Sequence, residues 1–306
     1  MLNSPEIISI AGVVLFWFLI YLFEIKYFLF FLFKRRLVKS KLVVVVHIIA
    51  VLGILAYLYG YFIEPYNLEI NKVYLKTPKL KNGEIVVVEI SDLHLDDKVF
   101  NEWKMIKLVN DIDPDVIVFC GDSINVERTL GRLKEVLSQL KAKLGKFAVK
   151  GNFDTAYWYN LDLFSGTGFK ELDKKTISIE KNGDWFTISG VRPYAGVQKL
   201  FFLQGLDKNK YNILLSHYPK AVEDVKGYAI DLVLAGHTHG GQICLPFYGA
   251  IATMAKYGKR YESGLYQVNK SFIYVNKGLG LGGGRVPRIR LFCRPEITVF
   301  YISAEE

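Results

Sequence analysis

Four of the five histidines in this chain fall in short polar clusters placed at the ends of apolar runs. SDLHLD (91–96) ends the run EIVVVEIS, GDS (121–123) follows DVIVFC, and GNFD (151–154) follows KFAVK. SHY (216–218) closes NILLS, and GHTHGG (236–241) follows DLVLA. Together they offer Asp92, His94, Asp122, Asn152, His217, His237 and His239, seven oxygen and nitrogen donors. Each cluster alone has an ordinary reading: an aspartate caps a helix, Gly-Asp makes a turn, a histidine packs. Their concurrence points instead to metal ligation. Mixed carboxylate and imidazole donors suit Mn²⁺, Fe or Zn²⁺, whereas all-oxygen sets suit Mg²⁺ or Ca²⁺. Seven donors with a shareable carboxylate fit two divalent ions. Such a pair, about 3.5–4 Å apart, engages a phosphate from both sides and lowers the pKa of water. The chemistry implied is hydrolysis at phosphorus.

Residues so far apart need elements that bring them together. Runs 84–91, 115–120, 146–150, 212–216 and 231–235 read as strands, and 186–191, 264–268, 272–276 and 297–302 add further strand pattern. Helical spacing covers 101–112, with Trp103, Ile106, Val109 and Asn110 near one face and Asp97 or Asn101 as caps. It recurs over 127–143, through Leu130, Leu133, Val136, Leu137 and Leu140, and over 219–226. This order predicts a layered α/β domain with central sheets. In such sheets functional groups gather beyond the carboxyl ends of strands. The expected organisation is a membrane anchor over 1–63, a Lys-rich linker and entry segment over 64–83, and a catalytic domain over 84–306.

The series SDLH, GD, GN-x-D, SH and GHTHGGQI resembles the calcineurin-like metallophosphoesterase superfamily over residues 84–302. The resemblance implies a two-sheet β sandwich flanked by helices, with metals at one edge. Carried over, Asp92, His94, Asp122 and His239 would hold one ion. Asp122, as the bridge, with Asn152, His217 and His237, would hold the other. Asp122, Asn152 and His217 are the residues expected to carry catalysis. The stretches GHTHGGQICLP (236–246), NKGLGLGGGRVPRIR (276–290) and RPEI (294–297) look like the membrane-anchored bacterial branch, and Arg285 and Arg288 become candidates for phosphate contact.

Phe153 departs from that pattern. The family commonly has His there, placed to protonate a leaving oxygen. A phosphate leaving group is a stable anion near neutral pH and needs little such help. Phe153 therefore points to a pyrophosphate or an activated phosphodiester, and it adds an apolar wall beside an acyl chain. Enzymes that cleave UDP-2,3-diacylglucosamine in lipid A synthesis are a parallel, since that group can lack the His. Asp154 is a candidate for orienting the loop by hydrogen bonds. The competing readings are an extracytoplasmic phosphoesterase of envelope lipids or wall phosphates, and a non-catalytic module that binds phosphate headgroups.

The front of the chain is strongly apolar. Residues 7–23 and 27–33 form runs interrupted by Glu24 and Lys26, and 42–63 forms a second long run. Two hydrophobic helices can cross a bilayer core of about 30 Å. No small-residue cleavage site follows the first run, so a signal peptide is not expected. The connector KRRLVKSK (34–41) holds five basic residues and no acid, so the positive-inside rule puts it in the cytoplasm and the domain outside. Lipid A chemistry at this step would need the domain in the cytoplasm. A bacterial inner-membrane, multi-pass location is expected, with the side of the domain left open between these two readings. The net charge of +9 suits anionic headgroups or phosphates. No basic stripe with interleaved aromatics marks a nucleic-acid partner. The three cysteines contain no CxxC and imply neither a thiolate site nor a disulfide framework.

Overall fold

A computed structural model describes residues 4–34, 40–193, 197–282 and 288–305. Helices α1 (Ser4–Lys34) and α2 (Lys41–Phe62) form an antiparallel hairpin. The two runs split by Glu24 and Lys26 are one continuous helix. The Glu24 carboxylate hydrogen-bonds His47 Nδ1 at 2.8 Å across the hairpin, and such a partner reduces the cost of a carboxyl group at that depth. Of the basic connector 34–41, residues 35–39 lie outside the described residues. Large apolar side chains such as Leu15, Phe18, Leu52 and Leu55 are exposed on both helices. A helix apolar on every face and unburied by protein belongs in lipid, and the chain is membrane-associated.

Strands β1 (Glu69–Thr77) and β2 (Glu84–Ile90) precede α3 (Glu102–Ile112), β3 (Val116–Phe119), α4 (Leu130–Ser138), β4 (Gly145–Ala148), α5 (Asn152–Tyr157) and β5 (Phe169–Glu171). Next come β6 (Lys175–Lys181), β7 (Asp184–Val191), β8 (Tyr211–Ser216), α6 (Ala221–Asp224) and β9 (Leu232–Ala235). The chain closes with β10 (Cys244–Leu245), β11 (Gly249–Ala250), β12 (Gly264–Val268), β13 (Ser271–Val275) and β14 (Glu296–Ala304). Among the described residues these make two six-stranded sheets, β1-β14-β2-β3-β4-β5 and β12-β13-β9-β8-β7-β6, and the small ribbon β10-β11. The segment 64–83, read as linker and entry, supplies the edge strand β1, which pairs in parallel with β14 along its whole length.

The period of two along each strand sends alternate side chains to opposite faces. Val87 joins Phe147, Ile188, Leu215, Leu234 and Phe300 in the core between the sheets, while Val88 and Ile90 face α3 and α4. Leu214, Val233 and Ile273 line the outer face of the second sheet against Val222 and Val225. The layers are therefore helix, sheet, sheet, helix, the flanked sandwich expected. On α3, Ile106 and Val109 of the expected face are buried, joined by Met105, while Trp103 lies half exposed. The regular helices over 127–143 and 219–226 are shorter than their patterns, Leu130–Ser138 and Ala221–Asp224.

Strands β2, β3 and β4 run parallel, as do β7, β8 and β9. Their carboxyl ends meet at one edge of the sandwich, and every polar cluster found in the sequence lies there. Leu215→Ala would open a void in the inter-sheet core. A loss of about 2–5 kcal/mol is expected in denaturant unfolding of the detergent-solubilised protein; a loss below about 1 kcal/mol would mean the two sheets do not share a packed core.

Candidate metal centre

Asp92 and His94 follow β2 with left-handed backbone, φ 50° and 41°. Asp122 (56°), His237 (74°) and His239 (53°) share it. Left-handed φ in residues other than glycine costs about 1–3 kcal/mol each and persists only where the surroundings over-determine it. Here glycines allow that crowding. A Cβ on Gly236 would fall 1.9 Å from Ser91 Oγ and 2.1 Å from an Asp92 carboxylate oxygen. One on Gly151 would fall 2.1 Å from Asp122 Oδ1. The glycine before Asn152 and the one before His237 thus let strand ends from both sheets close on the aspartates.

Five side chains converge. Asp122 Oδ2 lies 3.4 Å from both His94 Nε2 and His217 Nε2. His239 Nε2 is 3.5 Å from Asp92 Oδ1 and 3.2 Å from His94 Nε2. Ligand atoms of Asp92, His94 and His239 fall within 4.8 Å of one another, as do those of Asp92, Asp122 and His217. Asn152 joins through its Oδ1, 2.9 Å from His217 Nε2. The His237 ring stands 5.1 Å from that of His217, centroid to centroid, and its backbone N–H donates to Asp92. All seven donors therefore reach one site.

The donor set calls for cations. His217 Nδ1 faces the Cys120 carbonyl at 2.8 Å, so that nitrogen carries the hydrogen. Its Nε2 then meets only oxygens, those of Asn152 and Asp122. Burial disfavours charge on His217, yet the Asp122 carboxylate overrides it and raises the pKa to about 9. Asp122 is itself buried, but the His217 charge holds it well below the usual carboxylate range. Burial and then the Asp122 charge raise Asp92, once attraction to His217 is set against them. Burial and the His217 charge push His237 down to about 3, and burial and His94 depress His239. His239 Nδ1 is buried without a partner. Carboxylates and imidazoles packed this closely are costly without a positive charge between them. The cluster fits a divalent-metal site.

Neighbouring residues hold the donors. Asp154, fully buried, accepts backbone N–H groups of Asp122 and Ser123 at 2.9 Å and Gly151 at 2.8 Å, so it ties the GD and GN turns together. GNFD is the start of α5, and the Phe153 N–H donates to Asp122 Oδ1 at 2.8 Å. The Phe153 ring stands edge-on to His94, centroids 5.0 Å apart. Arg285 lies outside the described residues. Arg288 pairs with Asp96 and reaches the Leu281 carbonyl. Asn125 had no signal in the sequence, and Arg290 lies in the stretch 276–290 that the resemblance singled out but takes a different role from phosphate contact. Asn125 Oδ1 takes His94 Nδ1 at 2.8 Å, and Asn125 Nδ2 donates to the His94 carbonyl at 3.0 Å. Arg290, fully buried, donates to the carbonyls of Lys277, Gly278, Gly280 and Cys293 and so fixes the glycine-rich segment against the cluster.

Residues 85–241 match the family model described as calcineurin-like phosphoesterase. The chain is 36% identical over 268 residues to the Bacillus subtilis uncharacterized metallophosphoesterase YkuE, covering 80% of this chain and 90% of that protein. It is 29% identical over 310 residues to the UDP-2,3-diacylglucosamine pyrophosphatase LpxG of Chlamydia muridarum, covering 80% and 92%. It is 30% identical over 249 residues to a transmembrane protein with metallophosphoesterase domain from Danio rerio, covering 73% and 54%.

Loss of a partner that orients a ligating histidine weakens metal binding about 10–100-fold. Asn125→Ala is expected to do so in Mn²⁺ titration calorimetry, and an unchanged affinity would remove Asn125 from the positioning of His94.

Proposed function

The chain belongs to the calcineurin-like phosphoesterase family and is a hydrolase of phosphoester bonds; from that premise we propose that two divalent ions, Mn²⁺ foremost, serve the cleavage of a pyrophosphate or phosphodiester in a lipid-linked substrate. Asp92, His94, Asp122 and His239 would hold one ion, and Asp122, Asn152, His217 and His237 the other. Bound there, the ions supply positive charge against the phosphoryl oxygens and lower the pKa of water. The carbonyl of Cys120 and the amide of Asn125 fix the tautomers of His217 and His94, so both present Nε2 to the site. Asp154 keeps the Asp122 and Asn152 turns in register.

The observation that carries the substrate class is Phe153. It occupies the cluster's rim, touching His94, where a proton donor would serve an alkoxide leaving group. Without that donor the favoured bond is one whose leaving group departs as a stable anion. The similarity to LpxG supports UDP-2,3-diacylglucosamine as the specific substrate. A second reading is supported by the hairpin. The start of α1 and the segment that follows α2 both adjoin the catalytic domain, so Lys34 and Lys41, the described basic residues on either side of the connector, lie at the far end of the hairpin. By the positive-inside rule the domain of a bacterial inner-membrane protein would then face away from the cytoplasm, towards envelope lipids or wall phosphates. Alkaline phosphatase fused at the C-terminus would be active there and inactive in the cytoplasm.

Purified protein with Mn²⁺ is expected to release UMP from UDP-2,3-diacylglucosamine, and Asp122→Asn to abolish it. Turnover of bis(p-nitrophenyl) phosphate without UMP release would reject that lipid and keep the family activity. Phe153→His should raise the ratio of alkyl-diester to pyrophosphate turnover by about tenfold or more. An unchanged ratio would detach Phe153 from the choice of leaving group.

A further inference from the structure

We propose that the first turns of α1 form a wall of the substrate site, and that the cavity between them and the metal cluster takes the alkyl or acyl chain of a membrane-resident phosphoester. The proposal rests on the hydrolase reading for the headgroup and names the site of its chain. The cavity measures about 1010 Å³, the upper end of the range of about 300–1,000 Å³ for ligand pockets. His94, Asp122, Asn152, His237 and His239 lie at one side of it. Ile10, Val13 and Val14 of α1 lie in its wall, joined by Ile251, Ala252 and Met254 of the catalytic domain, and the lining is mainly apolar. Phe153 stands where the polar and apolar parts meet.

Helix length explains how a membrane helix comes to line a catalytic cavity. The 22 residues of α2 span about 33 Å, close to a hydrocarbon core of about 30 Å. The 31 residues of α1 span about 46 Å, a surplus of about ten residues. The cross-hairpin pairs Tyr21–Ala50 and Glu24–His47 set a register in which α1 runs past α2 at both ends, and its N-terminal overhang is where the helix is fastened to the domain. The buried Glu6 carboxylate accepts the N–H and the hydroxyl of Thr253, both at 2.7 Å, and Ser9 Oγ lies 2.9 Å from Tyr248 Oη. Ile10, Val13 and Val14 follow at helical spacing on one face. Beside this contact, Phe247 projects fully exposed and Tyr248 is half exposed, aromatic groups suited to a membrane interface.

The chemistry of the occupant follows. A chain drawn from lipid into water loses about fourfold in affinity per methylene. A wall continuous with a membrane helix lets the chain stay in apolar surroundings while the phosphate reaches the cluster. A fully water-soluble phosphate has no use for such a wall.

The test uses full-length protein in nanodiscs with Mn²⁺ and two substrates, ethyl and hexadecyl p-nitrophenyl phosphate, which share the scissile bond and the leaving group. The readout is the ratio of kcat/KM for hexadecyl over ethyl. Partition into the bilayer contributes equally in every variant. Val13→Trp, which narrows the cavity at its α1 wall, is expected to lower the ratio at least about tenfold, the loss of about two buried methylenes. Leu15→Trp, on the exposed face of α1, should keep it. An equal ratio in Val13→Trp and the parent protein would overturn the proposal while leaving the hydrolase reading intact. Should neither ester be hydrolysed, that reading fails, and equilibrium binding of hexadecylphosphonate decides the cavity: loss in Val13→Trp supports it, and retention refutes it. A folded, metal-loaded Val13→Trp protein, checked by Mn²⁺ content, secures the comparison.

Discussion

Two buried aspartates, Asp92 and Asp122, follow the adjacent strands β2 and β3 of one sheet and lie close together at the edge of the sandwich, ringed by imidazoles. Burying like charges is unfavourable unless positive charge sits between them. Much of the surrounding structure follows from that constraint. The strands deliver the carboxylates from parallel carboxyl ends, the glycines before Asn152 and His237 permit the approach, and left-handed backbone at five ligand positions turns the side chains inward. Without the cations, protons on His94 and His217 compensate in part, which is why both are raised against the pull of burial.

The cluster is supported from behind as well as from its own loops. Arg288 engages Asp96, and Asn125 bridges towards His94. Arg290 ties four carbonyls of the glycine-rich segment and its neighbour Cys293. At the foot of α2, the buried Glu64 carboxylate accepts the N–H groups of Phe292 and Cys293, and the Cys293 thiol donates to the His239 carbonyl at 3.1 Å. The membrane hairpin is thus coupled through a few polar contacts to His239 of the candidate metal cluster, and Glu6 makes a second attachment on the other helix. An anchor that merely tethered the domain would need neither buried carboxylate.

The seven clustered donors were legible in the sequence because each follows a strongly apolar strand and because their concurrence, not any one of them, is hard to explain by capping, turns or packing. A layered α/β domain was legible in the order of strands and helices, whereas the two-sheet sandwich came from the family resemblance. What escaped were features set by tertiary pairing. Strand β1 was legible only as a polar, Lys-rich entry segment, and its parallel pairing with β14 was not. On α3, Ile106 and Val109 are buried as their spacing implies, but Met105 joins them while Trp103 stays half exposed. Asn125 and Arg290 act on groups 31 and more than ten residues away, through geometry that no local pattern encodes. Asp154 was legible as a loop acceptor, and Arg288 reads differently in the fold, since Asp96 takes its guanidinium. Val13 looks in sequence like any lipid-facing residue and shows its second role only when α1 is seen against the cavity.

Hydrolysis at this site therefore turns on cations held by the two aspartates. The most direct measurement is an anomalous-scattering map from crystals of the full chain grown with Mn²⁺. Two peaks flanking the Asp122 carboxylate are expected, one beside His94 and His239 and the other beside His217, Asn152 and His237. Ordered density for all seven side chains with no anomalous peak within coordination distance of Asp122 would contradict it.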